Sequence, residues 1–206
     1  MKKYFIVAGE PSGDLHGSKL IKAIKHLNPN SSFMGHGGDS MRNEGMHIIE
    51  HVDSLAIMGF AEVLRHLPRM NKIMRNTVGA IERSKPDRVI LIDYPGFNLR
   101  LAKRLSPLKI PITYFILPQA WAWKKRRVEV LKKFIDQSIS IFPFENDWYK
   151  RRGLRVDYFG HPFVDIEHFN ETTKSFYERH SLSINSPILV LLPGSRQQEV
   201  DRHWPI

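Results

Sequence analysis

The chain has no cysteine, which excludes a disulfide framework and any thiolate metal site and fits a reducing compartment. It also has no apolar run near the ~20 residues that a membrane-spanning helix needs. "MKK" followed by "YFIVAG" imitates a signal peptide, but the apolar run is too short and Glu10 closes it. The expectation is a cytoplasmic protein that touches a membrane without crossing it. Ten histidines bring no H-E-x-x-H or other ligand cluster, and no D-x-D is present to hold a divalent cation against a diphosphate. Neither a metal nor a cofactor is expected. Acidic charge is scarce as well: 21 Asp+Glu against 31 Lys+Arg leave a formal +10. Such a surplus favours anionic partners, whether phosphate-bearing ligands, acidic lipid headgroups or nucleic acid.

What is present is a regular alternation of short β-rich runs with longer helical patterns over 206 residues. "YFIVA" (4–8) precedes a glycine-containing turn and a helix with Leu20, Ile21, Ile24 and Leu27 on one face. "SSFMGHGG" (31–38), "RVILID" (88–93), "ITYFIL" (112–117) and "QSISIF" (137–142) read as further strands. A long amphipathic segment carries Val63, Leu64, Leu67, Met70, Ile73, Met74 and Ile81, with Pro68 expected to kink or break it. Alternation of this kind implies a Rossmann-like, doubly wound parallel sheet. Its domain is expected to occupy residues 1–168. Residues 169–186 read as a linker with one helix, and 187–206 as the first strand and partial helix of a second domain, truncated here.

Several strand-to-helix junctions carry chemistry. In "AGEPSGDLHG" (8–17), Gly9, Gly13 and Gly17 permit close backbone approach, and Ser12 or Asp14 can cap the helix. A helix N-terminus there attracts anions; the alternative is a plain tight turn. This stretch is neither G-x-G-x-x-G nor a P-loop. "LIDYPGFN" (91–98) ends a buried strand with Asp93, which is either a general base facing the ligand crevice or, like Asn98, a cap for the next helix. "FGHPFVD" (159–165) offers His161, either structural or functional. "LLPGSR" (191–196) places Ser195 and Arg196 at another helix start, and arginine suits bidentate contact with phosphate. "PQAWAWKKRR" (118–127) sets two tryptophans beside four cations. With a helix from about Ala122 and Val128, Val130, Leu131 and Phe134 partly inward, that basic run wraps around the axis. Only one or two of Lys124, Lys125, Arg126 and Arg127 then approach a substrate phosphate.

Taken in order, "AGEPSGDLHG", "GHGGDSMRNEGM", "LAIMGFAEVL", "LIDYPGFNLRLA", "PQAWAWKKRRV", "PFENDWY", "GHPFVD" and "LLPGSRQQEV" resemble the lipid-A-disaccharide synthases. These are inverting glycosyltransferases of GT-B type, family 19. The resemblance covers nearly the whole chain. Two departures stand out: Gly96 replaces a second acidic residue, which removes a carboxylate pair there, and "PQAWAW" replaces "PSVWAW".

The resemblance implies transfer of 2,3-diacylglucosamine from UDP-2,3-diacylglucosamine to 2,3-diacylglucosamine 1-phosphate, with release of UDP. Asp93 matches the family's strand-end aspartate and is the candidate base. Arg196 matches the family's "GSR" arginine and is the candidate for neutralising the departing diphosphate; no metal is required if such side chains and helix N-termini do that work. Gly9, Glu10, Ser12, Gly13, Asp14, Trp121, Lys124, Arg127, His161 and Ser195 complete the expected substrate-binding set. The protein is expected on the inner face of the inner membrane, peripheral at its anionic surface. Because nucleotide binds mostly to the second domain of GT-B enzymes, the chain as given is expected neither to bind UDP-sugar normally nor to turn over. It reads as a piece of a longer protein or the product of an interrupted reading frame.

Three other readings share some of these features. A nucleic-acid module has the charge and the Trp/Lys/Arg segment but no RRM, KH, HTH or OB signature, so no nucleic-acid partner is expected. Other GT-B UDP-sugar enzymes, such as a peptidoglycan glycosyltransferase or a UDP-sugar epimerase, are not expected to combine "AWAWKKRR" with "LPGSR". A membrane-surface module draws on Arg65, Arg69, Lys72 and Arg75 beside Met58, Phe60, Leu64, Met70 and Met74; it is treated as auxiliary to the enzyme.

Overall fold

A computed structural model describes residues 1–55, 63–164, 172–184, 186–194, 200–201 and 204, with side chains of 63–67 excepted. The chain divides into a unit Met1–Asp165 and a second unit Ile166–Ile206.

Among the described residues of the first unit, seven strands form one parallel sheet: β1 Lys3–Ala8, β2 Ser32–Gly37, β3 His47–His51, β4 Arg88–Ile92, β5 Ile112–Phe115, β6 Gln137–Ser140 and β7 Asp157–Tyr158. Their spatial order is β3-β2-β1-β4-β5-β6-β7. The helices are α1 Pro11–Leu27, α2 Asp39–Asn43, α3 Val52–Leu55, α4 Val63–Ser84, α5 Pro95–Leu105, α6 Arg127–Phe134 and α7 Pro143–Lys150. The chain winds outward from β1 in one direction, then restarts at β4 and winds in the other. The reversal leaves a switch point between the carboxyl ends of β1 and β4, where open α/β sheets bind ligands.

Period-two side-chain alternation sorts the central strands into two cores. Phe5, Val7, Val89, Leu91, Ile112 and Tyr114 face the helices α4 to α7. Ile6, Ala8, Ile90 and Ile92 face α1 and α2. Strands β1 and β4 are buried on both faces, which explains their unbroken apolar sequence. Farther along, Phe115 and Ile139 line a hollow of about 400 Å3 bordered by Gly160, His161 and Pro162.

Several expectations change. Strand β3 had no counterpart in the sequence reading. Helix α4 runs through Pro68 without a break; the proline lies near its start, where one intrahelical bond, to the carbonyl of residue 64, is lost. Leu27 is exposed rather than inward, because it sits at the last position of α1. Pro11 opens α1 with Glu10 as its N-cap residue, and no side chain caps it there. Neither Ser12 nor Asp14 therefore performs that role. Helix α6 starts at Arg127 rather than near Ala122. The preceding segment turns instead, with Lys124 in the left-handed region (φ 54°) and the Tyr149 hydroxyl donating to the Pro118 carbonyl.

In the second unit, α8 Thr173–Arg179 is capped by Thr172, whose Oγ1 accepts the Ser175 N–H at 3.2 Å. Residues 187–194, within the stretch 187–206 expected to hold a first strand and partial helix, carry no ladder pairing among the described residues. A strand is defined by its neighbour. Residues 195–199 lie outside the described residues, so the expectations for Ser195 and Arg196 do too.

Candidate active site at the sheet switch point

Where β1 ends, Gly9 and Glu10 lead into α1; where β4 ends, Asp93 and Tyr94 lead into α5. Both Asp93 (φ 43°) and Tyr94 (φ 48°) occupy the left-handed region, unfavourable for residues with a Cβ and typical of strained functional turns. The turn brings the Tyr94 ring directly onto Gly9. A Cβ at position 9 would overlap that ring, so only glycine fits there. Helix α1 then packs closely through Gly13, where an added Cβ would meet the Ala8 Cβ at 3.1 Å.

The Asp93 carboxyl is half-buried, and its pKa is pushed up to about 6. Burial is the main cause, reinforced by the Glu10 charge and opposed by the Tyr94 backbone N–H and the Arg127 charge. A carboxylate neighbour for Asp93 therefore does exist. It comes from the β1–α1 turn, not from position 96, and sequence spacing alone gave no sign of it. A carboxyl titrating near 6 is ionised at neutral pH yet retains affinity for a proton, as a general base requires.

Asp14 is placed differently. It is buried, and its carboxylate accepts the Gly38 N–H at 2.7 Å, the Ser40 N–H at 3.0 Å and the Met41 N–H at 3.0 Å. It caps α2 from across the fold, and its oxygens are already occupied by the backbone. Ser12 is exposed on the first turn of α1.

The basic run does not wrap around a helix: only Arg127 belongs to α6, and Lys124, Lys125 and Arg126 precede it in a loop. Arg127 is half-buried, and its charge reaches Asp93, Tyr114 and Tyr149. Lys124 is exposed, with its ammonium 4.4 Å from the Trp123 ring; the Arg127 guanidinium lies 4.7 Å from the same ring. Trp121 is half-buried and donates its Nε1–H to the Glu145 carboxylate at 3.0 Å. Glu145 is 1% exposed and its pKa is raised, chiefly by burial.

His161 sits in an aromatic row, 5.6 Å from Phe142 and 5.3 Å from Phe163 between ring centroids. Phe163 in turn packs 5.1 Å from His16, whose pKa is lowered by burial, Lys19 and His161. His161 also borders the hollow on the sheet face. Among the described residues there is no cluster of three His, Cys, Asp or Glu able to hold a metal, and no helix long and apolar enough to cross a membrane.

Two residues absent from the expected site, Asn98 and Tyr114, contribute to it, and a third buried polar residue, His36, lies in the core. Asn98 is fully buried, and its Nδ2 donates to the carbonyls of Asp93 (2.7 Å), Ile92 (3.3 Å) and Val7 (3.4 Å), tying β4 to β1. Tyr114 donates its hydroxyl to the Asp93 carbonyl at 2.6 Å. His36, at the end of β2, is buried and held neutral with its pKa lowered to about 4; its Nε2 lies 2.9 Å from Thr77 Oγ1. A polar residue inside an apolar pattern was the available signal for each.

Comparison with known proteins agrees with this architecture. Solved structures share the fold at low identity. The UDP co-structure of S. aureus MnaA aligns with TM-score 0.62 at 12% identity, over 88% of this chain and 52% of that one. The UDP-GlcNAc 2-epimerase from Methanocaldococcus jannaschii, in complex with UDP-GlcNAc and UDP, aligns with TM-score 0.58 at 15% identity, over 87% and 54%. Sequence relatives are closer. Lipid-A-disaccharide synthase from Myxococcus xanthus is 39% identical over 98% of this chain and 53% of its own length. The Coxiella burnetii (strain CbuK_Q154) protein of that name is 35% identical over 100% and 54%. Lipid-A-disaccharide synthase 1 from Legionella pneumophila (strain Paris) is 40% identical over 98% and 53%. The chain thus spans about half the length of the curated relatives it matches. The model of the family described as lipid-A-disaccharide synthetase matches residues 4–206, and the chain belongs to that family of glycosyltransferases.

Proposed function

We propose that this chain is the acceptor-side part of an inverting glycosyltransferase that makes lipid A disaccharide. The donor is UDP-2,3-diacylglucosamine and the acceptor 2,3-diacylglucosamine 1-phosphate. The observation that carries the reading is the Asp93 carboxyl at the switch point, half-buried beside Glu10 and titrating near 6.

Asp93 takes the proton from the acceptor's primary hydroxyl as that oxygen attacks the donor's anomeric carbon. The new C–O bond forms on the face opposite the breaking bond to UDP, which inverts the centre. UDP departs with the bonding pair, stabilised by cationic side chains; Arg196 is the proposed partner in the second unit, with Ser195 beside it. Gly9, Glu10, Ser12 and Gly13 are the proposed substrate contacts from the start of α1, and Trp121, Lys124, Arg127 and His161 those from the other strand ends. Asp14 acts on this site indirectly, by fixing the α2 turn. Reaction chemistry of this kind needs no metal.

Both substrates carry acyl chains, so the protein works at a lipid surface. The +10 charge supports peripheral attachment to the anionic inner face of the inner membrane, from the cytoplasm. Part of the proposed attachment segment, including Met58 and Phe60, lies outside the described residues. Sequence identity of 35–40% to synthases favours this reading over epimerase chemistry, for which the likeness is one of fold. The test is disaccharide synthesis by a chain spanning the full length of the relatives, comparing intact Asp93 with Asp93→Asn. Near-normal turnover of the variant would remove Asp93 as the base.

A further inference from the structure

The Asp93 carbonyl receives two hydrogen bonds from buried side chains on different elements, Asn98 Nδ2 in α5 at 2.7 Å and the Tyr114 hydroxyl in β5 at 2.6 Å. Asn98 and Tyr114 are both fully buried. Asn98 also reaches the carbonyls of Ile92 and Val7. With three carbonyls around one end of its amide, the NH2 must point toward them, since the opposite orientation would set oxygen against oxygen. Helix α5 starts after this turn without any side-chain cap of its own. Asn98 is therefore spent on the strand ends and not on the helix terminus.

The geometry points to Asn98 and Tyr114 as positioning residues that lock the left-handed Asp93–Tyr94 turn and thereby hold the Asp93 carboxylate in its half-buried place beside Glu10. The physical need is plain. Two consecutive non-glycine residues at positive φ are held only where the surroundings over-determine them. Two donors on one carbonyl fix the peptide that joins Asp93 to Tyr94, and the Tyr94 ring is pinned on Gly9. Without the donors, the turn relaxes toward ordinary backbone angles, and the carboxylate gains water and distance from Glu10. The groups that bear on Asp93 are Glu10 at the start of α1, Arg127 in α6, Tyr94 beside it and Tyr114 beneath it.

This inference rests on Asp93 being the base for its catalytic meaning, but its structural content is measured separately. In the 206-residue protein labelled with 13C at aspartate carboxyls, the Asp93 signal is assigned by its loss in Asp93→Asn, and its titration is followed in wild type, Asn98→Ala, Tyr114→Phe and Tyr149→Phe. Tyr149→Phe removes a similarly buried hydroxyl that bonds a different carbonyl, that of Pro118. The expected result is a downward shift of the Asp93 midpoint in Asn98→Ala and Tyr114→Phe, and an unmoved midpoint in Tyr149→Phe. Equal midpoints in wild type and Tyr114→Phe would overturn the proposal, and this variant decides the matter if Asn98→Ala fails to fold. In a chain spanning the full length of the relatives, Tyr114→Phe should lower kcat with KM little changed and move the acidic limb of the pH profile by the same shift. If Asp93→Asn stays active while the midpoints move, the base assignment fails and the positioning stands.

Discussion

Asp14 and Asp93 belong to neighbouring turns at the carboxyl edge of one sheet, and their surroundings are opposites. Asp14 is enclosed, and three backbone N–H groups converge on its carboxylate. Asp93 is half-open, with a burial penalty and the Glu10 charge acting against its ionised form. The same side chain thus serves as a structural rivet in one turn and as a poised proton acceptor in the other. What differs is the supply of donors to the carboxylate. At Asp93 the side-chain donors of Asn98 and Tyr114 go to the backbone carbonyl instead, which fixes the residue through its backbone.

The sharpest way to break this contrast is Asp93→Asn in a chain with both domains. Turnover should fall by about 10²–10⁴, the range of general-base contributions, as read by disaccharide synthesis, with folding intact. Asp14→Ala should do the reverse. It strands two buried N–H groups and one partly buried one, and should destabilise the 206-residue protein by about 3 kcal/mol or more, as measured by urea denaturation. A loss below about 1 kcal/mol would mean that water replaces the carboxylate.

A smaller effect is expected one strand farther along. Trp121→Phe leaves the Glu145 carboxyl buried without the indole N–H and should lower stability by about 1–3 kcal/mol, again by denaturation.

The finest distinction lies in pH. Because the folded-state pKa of Asp93 is raised to about 6 from 3.8, ionising it weakens the fold. Its unfavourable contribution is absent below pH 3.8 and grows until pH passes 6. Asp93→Asn should therefore melt higher than wild type at pH 8, and the gap should close by pH 4. His36 works in the opposite sense. Its folded pKa of about 4 lies below the 6.5 of the unfolded chain, so the stability it confers when neutral is full above pH 6.5 and lost as pH falls through 4. Melting curves of His36→Gln and Asp93→Asn across that window separate the two.

Much of the fold was legible because β1, β4 and β5 are largely apolar runs set between helical patterns, and a parallel sheet buried on both faces produces that signature. Strand β3 was not: "HIIEH" at the sheet edge is half-polar, and only its pairing with β2 makes it a strand. Asp93 could be picked out at a strand end. Its neighbour Glu10 could not be paired with it, because the two meet only when β1 and β4 become adjacent. The role of Asp14 was hidden for the same reason, since its partners lie 24 to 27 residues away. Asn98 looked like a helix cap because position, not partner, was all that could be read. Around Trp121, the indole N–H bonds Glu145, the Tyr149 hydroxyl bonds the Pro118 carbonyl, and α6 starts only at Arg127. No local periodicity encodes those ties.

The ring of Tyr94 on Gly9 has an evolutionary consequence. Positions 9 and 94 are not independent: a methyl group at 9 would occupy the space of the ring, so Gly9→Ala should be tolerated far better beside Tyr94→Ala than beside the native tyrosine. Across the family, size at one position should trade against size at the other. That is epistasis between two turns 85 residues apart in sequence, written by one shared volume at the mouth of the crevice.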